Sequence, residues 1–218
     1  MDVLGLLKIR VQKGINLAVR DTLSSDPYCV ITCENQRVRT KVVKRNCNPV
    51  WSEELTIYIK DLEDPIVLSV YDKDTFSGDD NMGHANIDII PLIECLKMGL
   101  ENLPDGTKVE RVQPTRSNCL ADESCVVWEQ GKMTQDMSLR LKDVECGEVA
   151  IQIEWVDVPG AKGLQVEIPD KHPHHDNHKA MRSKKMTQVV SIVSTVRRRL
   201  RNKTISVSTK VLHKPPHP

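Results

Sequence analysis

A chain of 218 residues with 39% hydrophobic and 28% charged residues is long enough to bury a substantial core and reads as globular. No apolar run approaches the roughly 20 residues a spanning helix needs, and the opening "MDVLGLLKIRVQKG", with an acid at position 2, resembles no signal peptide. The net charge of +1 hides a split: residues 165–218 carry 12 Lys and Arg against 3 Asp and Glu, and residues 1–164 carry 19 against 27, so a boundary is expected near Leu164. From the N-terminus, "LLKIRVQKG" alternates at strand period, with Leu7, Ile9 and Val11 on one face and Lys8, Arg10 and Gln12 on the other. Strands are likewise expected over Pro27–Asn35, Arg37–Lys44, Glu54–Asp61 and Ile66–Asp74, separated by the turn signals "SSDP", "ENQ", "RNCNP" and "LEDP". Residues 93–132 show few clear periods, and two more strands follow over Thr134–Asp143 and Gly147–Val158. Many short strands with no long amphipathic helix between them predict an all-β antiparallel sandwich. The tail is polar and rich in Pro and His, which predicts disorder; "MTQVVSIVSTVRRRLRNK" has room for one short basic amphipathic helix, although its β-branched residues weaken that reading.

Two loops concentrate carboxylates. "RDTLSSDPY" offers Asp21 and Asp26; "YDKDTFSGDDN" offers Asp72, Asp74, Asp79 and Asp80, with Phe76, the single phenylalanine of the chain, among them. Crowded carboxylates repel unless a cation lies between them, and Ca²⁺ takes about 6–8 oxygen ligands, commonly several carboxylates and backbone carbonyls. The pattern is not an EF-hand: counted from Asp72, position 5 is Phe76, position 6 is Ser77 and position 12 is Gly83. Two acids also suit a hydrolase, but no Gly-rich phosphate loop, nucleophile elbow or H-E-x-x-H accompanies them. Taken alone, the second loop is balanced between a solvated acidic turn and a metal loop. The seven cysteines are scattered without a C-x-x-C pair, which predicts reduced thiols rather than a disulfide framework or zinc site.

Together the loops carry a resemblance. "GLLKIRVQKGINLAVRDTLSSDPYCVI", "NPVW" and "VLSVYDKDTFSGDDNMGHANIDI" resemble a C2 domain. "NCLADESCVVW" and "GKMTQDMSLRLKDVECGEVAIQIEWVDVPGAKGL" narrow the resemblance to the plant C2-domain abscisic-acid-related proteins. It covers residues 1–164 and implies an eight-stranded C2 β-sandwich with an insertion, roughly 93–132, before the last two strands; the tail 165–218 has no counterpart. It also implies two or three Ca²⁺ ions held by Asp21 and Asp26 of the first loop, Asp72, Asp74 and Asp80 of the third, and the backbone carbonyls of Arg20 and Lys73. Asp79 is then the spare acid. Leu23 and Phe76 stand at the loop tips, where an apolar side chain can enter a membrane once the charge is cancelled. Arg37, Arg39 and Lys41 fall on one face of a strand, either as a head-group contact or as a solvated sheet edge. The expected partners are an anionic phospholipid membrane, abscisic acid receptors and, as the alternative reading, a small GTPase whose hydrolysis is activated. Arg111 and Arg116 of the insertion are not distinguishable there from solvated arginines. A nucleic-acid partner and catalysis by the chain itself are not expected, and the resemblance places the protein in the cytoplasm, peripherally at the plasma membrane and in the nucleus.

Overall fold

The computed structural model describes residues 3–20, 24–74 and 78–164. Asp21, Leu23, Phe76 and the tail from Gln165 with its expected helix lie outside the described residues.

Strand β1 (Gly5–Ile15) keeps the alternation read in the sequence: Leu7, Ile9 and Val11 are fully buried and the intervening Lys8, Arg10 and Gln12 are not. It lies between β10 (Glu148–Val156), whose Val149, Ile151, Ile153 and Trp155 face the same core, and β4 (Val50–Ile59). The second sheet is built from β2 (Pro27–Cys33), β3 (Gln36–Arg39), β5 (Val67–Asp72) and β6 (Asp80–Asn86), in the order β3-β2-β5-β6. All the paired strands are antiparallel, and the inner faces of the two sheets meet in one core through Leu7, Ile31, Leu68, Met82 and Ile151. An apolar row on one side of a strand must be covered by another layer, and with no long amphipathic helix between the described strands that layer is a second sheet.

The eight expected strands are β1–β6, β9 (Lys132–Arg140) and β10. The insertion adds more order than its sequence suggests. Helix α1 (Ile90–Lys97) enters it, with Pro91 in the first turn and the Ile90 N–H accepted by Asp88 Oδ1 at 3.0 Å. Leu92, Ile93 and Cys95 turn inward. The hairpin β7 (Thr107–Val112) and β8 (Ser124–Glu129) then extends the first sheet to six strands, β4-β1-β10-β9-β8-β7. Its period is broken by a bulge between Lys108 and Glu110, so Val109 and Val112 do not read as a row. Strand β4 starts at Val50, four residues earlier than its pattern: burial alternates along the whole strand, but the inward position after Trp51 is held by half-buried Glu53, so no apolar row marks the start. The seven cysteines are free, and burial pushes the Cys29 thiol well above its ordinary range, which makes it an inert core group.

Candidate calcium rim

Three strand ends converge at one end of the four-stranded sheet. Pro27 opposes Asp72 and Asp72 opposes Asp80 in register on adjacent strands spaced about 4.8 Å apart, and Asp26, one residue before β2, lies at the same end of the sheet. Asp72 shares the inward parity of Leu68 and Val70 and is only 1% exposed, a carboxylate at the end of a core row. Its Oδ1 accepts the Asp26 N–H at 2.6 Å, and the Asp26 carbonyl accepts the Lys73 N–H at 3.1 Å. The first and third loops are thereby stitched together at their bases. Asp74 is half-buried and Asp80 exposed at the rim.

Residues that were not singled out in the sequence shape these loops. Ser25, fully buried, donates to the Ala18 carbonyl and accepts the Arg20 N–H, folding the first loop back on itself. The segment between β3 and β4 packs beside it: the Arg45 N–H reaches Asp26 Oδ1 at 2.8 Å, and the Asn46 N–H reaches the Ser25 carbonyl at 2.9 Å. Arg20 was expected to contribute only its carbonyl. Its guanidinium grips Glu145 with two bonds of 2.7 and 3.0 Å and donates to the Asn81 carbonyl at 3.2 Å. That clamp brings the β9–β10 connection to the rim, where Lys142 exchanges both backbone hydrogen bonds with His84. No local signal links Arg20 to Glu145, since 125 positions separate them.

The clamp is also an acid-sensitive element. The Arg20 guanidinium holds the Glu145 carboxyl below its usual range, and Glu145 raises Arg20 in return. A depressed carboxylate stabilises the fold above its unfolded pKa and loses that contribution as pH falls through the folded value. Glu145→Gln is therefore expected to lower the melting temperature slightly near neutral pH, with the difference from the native protein vanishing in acid. Thermal denaturation followed by circular dichroism from pH 7 to pH 3 checks this; a difference that persists unchanged at pH 3 contradicts it.

Asp79 does not point its charge into the cluster unaccompanied. Its Oδ1 accepts from Lys73 Nζ at 2.8 Å and from the Asp74 N–H at 3.2 Å, and its Oδ2 accepts from the Tyr28 hydroxyl at 2.6 Å. Lys73 foremost, then Tyr28, hold Asp79 below the ordinary aspartate range. Burial first and Asp79 second push the Tyr28 phenol up to about 12.

On the outer face of the same sheet, Tyr28 stacks on Tyr71 with centroids 5.7 Å apart. The Arg39 and Arg37 guanidinium carbons lie 5.5 Å and 5.9 Å from the centroids of the Tyr28 and Tyr71 rings. Lys41 does not share that strand. β3 ends at Arg39; the Thr40 hydroxyl takes the Cys29 N–H at 3.0 Å and the Lys41 N–H turns to Glu53 at 2.8 Å.

The donor set fits a hard cation: all the candidate side chains are carboxylates, offered from neighbouring strand ends, with one of them almost wholly buried. Among the described residues no three of His, Cys, Asp or Glu already converge as ligands, and Asp21 lies outside them. No helix among the described residues is long and apolar enough to cross a membrane.

A sandwich of this topology with paired acidic loops at one end defines a C2 domain, and the C2 domain family model matches residues 5–101. Over 163 residues the chain is 58% identical to Protein C2-DOMAIN ABA-RELATED 10 of Arabidopsis thaliana, covering 74% of this chain and 91% of that one. It is 52% identical over 162 residues to GTPase activating protein 1 of Oryza sativa subsp. indica, covering 74% and 98%. The C2 domains of Extended-Synaptotagmin 2 superpose with a TM-score of 0.48 at 22% identity, over 70% of this chain and 41% of that chain. The chain belongs to the plant C2-domain ABA-related family.

Proposed function

We propose that this chain is a Ca²⁺-dependent phospholipid-binding C2 module that brings an abscisic acid receptor transiently to the plasma membrane. The observation that carries the calcium part is the register of β2, β5 and β6, which sets Asp26, Asp72 and Asp80 side by side with the Asp26 N–H on the Asp72 carboxylate. Asp21, Asp26, Asp72, Asp74 and Asp80 would hold two or three ions, with the Arg20 and Lys73 carbonyls. When bound, Ca²⁺ supplies positive charge and open coordination positions suited to phosphate oxygens. Without it, five carboxylates repel an anionic leaflet, where each unit charge near the surface matters by about 1 kcal/mol.

The side chains then divide the work. The Asp26–Asp72 stitch keeps the two loops at one spacing. Leu23 and Phe76, at the expected loop tips, would enter the interfacial region once the rim is neutral. Arg37 and Arg39, held over the tyrosine rings, add a cationic surface for acidic head groups. Lys41, past the end of β3, is left out of that pair. The receptor part rests on family membership; the β7–β8 hairpin, which extends the sheet beyond the eight expected strands, is the surface proposed for that contact.

Sedimentation with phosphatidylserine vesicles tests the reading. Binding is expected in Ca²⁺, lost in EGTA and weakened by added salt; equal binding in both conditions would remove calcium from it. The rice relative's name favours a second reading, activation of a small GTPase. Single-turnover GTP hydrolysis by a plant small GTPase, unchanged on adding the protein, would dismiss it for that GTPase.

A further inference from the structure

We propose that Tyr28 is a positioning residue for calcium uptake: its hydroxyl latches Asp79 to the four-stranded sheet and, through Asp79, holds the backbone of Asp74 beside it. The inference rests on the calcium reading of the rim. Among the described residues three donors hold Asp79, and they are not equivalent. Lys73 is a long side chain, 47% exposed, and an ion pair of that kind fixes little. The Asp74 N–H belongs to the same loop and moves with Asp79. Tyr28 alone of the three comes from the sheet: it sits in β2, is 4% exposed and stacks on Tyr71 across the ladder.

The consequence runs in two directions. Asp79 lies next to Asp80 in the chain and binds the N–H of Asp74, so releasing it would loosen the backbone that sets both of these ligand carboxylates. The latch also references Asp74 to β2, the strand that begins one residue after Asp26. Asp26, Asp72, Asp74 and Asp79, at the bases of the two loops, are then tied to one frame, which lowers the ordering that uptake demands of these residues. The Tyr28 hydroxyl is suited to this, since a short O–H···O⁻ bond from a buried phenol is strong and directional.

Calorimetric titration of Ca²⁺ into the full chain tests it with native protein, Tyr28→Phe, Asp79→Ala and the double variant. Tyr28→Phe keeps the ring and every charge, yet is expected to weaken Ca²⁺ binding roughly five- to tenfold. In the Asp79→Ala background the same change is expected to have no further effect. Proton NMR of the calcium-free native protein should show a downfield, slowly exchanging tyrosine hydroxyl that disappears in both single variants. Affinity unchanged in Tyr28→Phe, an equal loss in both backgrounds, or no such hydroxyl signal would each overturn the proposal. Native protein that shows the hydroxyl signal but takes up no Ca²⁺ overturns it by a different route, through the calcium reading itself.

Discussion

Replacing Asp72 and Asp74 together by Asn is expected to abolish Ca²⁺-dependent sedimentation with anionic vesicles while leaving the fold intact. Asn keeps the shape of Asp and an acceptor oxygen, so the Asp26 N–H on position 72 retains a partner. What disappears is two negative charges from a set of five, and affinity at oxygen sites is tuned over many decades by charge count. A fall of at least about 100-fold in Ca²⁺ affinity follows. Stability should move the opposite way. Asp72 is 1% exposed, and a buried carboxylate beside other carboxylates costs free energy in the absence of a cation. The calcium-free variant should therefore melt at the native temperature or above it. Vesicle sedimentation and calcium-free thermal denaturation, measured on the same preparation, check both halves. Retained calcium-dependent binding would show that the ligands lie elsewhere.

Gly83→Val is expected to be the most damaging single change next to the rim. Gly83 holds a φ of +95°, and a Cβ there would stand 2.5 Å from Val144 Cγ1 and 2.8 Å from the Lys142 carbonyl oxygen. The backbone contact cannot yield as a flexible side chain can, because Lys142 is tied to His84 through both of its backbone groups. Strain and overpacking at one position together cost on the order of 3–5 kcal/mol. In a domain of this size that lowers the melting temperature by roughly 6–20 °C. The clash also pushes away the connection that carries Glu145, so the Arg20 clamp should open. Circular dichroism melts and proton NMR of the Arg20 guanidinium would report both effects; a shift under about 3 °C would contradict the close approach.

Local pattern was enough where one face of a strand is buried and the other is wet. β1 and β10 were readable because Leu7, Ile9, Val11 and Ile151, Ile153, Trp155 alternate without interruption. Pattern failed where the backbone departs from period two, at the bulge in β7, and where a charged residue, Glu53, takes an inward position near the start of β4. The β7–β8 hairpin went unseen for a second reason: β8 carries Cys125, Val126, Val127 and Trp128 in a row, with no polar residue between them to mark a period of two. The acids of the rim were legible from spacing and family resemblance, but their neighbours were not. Ser25 and Tyr28 stand in the quoted "SSDPY", yet no spacing says that one folds the loop and the other reaches an acid 51 positions away.

By itself, then, the sequence determined the sandwich, the two acidic loops and the charge contrast between body and tail. Each is a property of residues near one another in the chain, and periodicity and composition report such properties directly. The tertiary structure decided which groups are partners: the Asp26–Asp72 stitch, the Arg20–Glu145 clamp, the Tyr28–Asp79 latch, and the parting of Lys41 from Arg37 and Arg39. These depend on strand register and on where a ladder stops. Both are set by packing of the whole core, and no short stretch of sequence contains them.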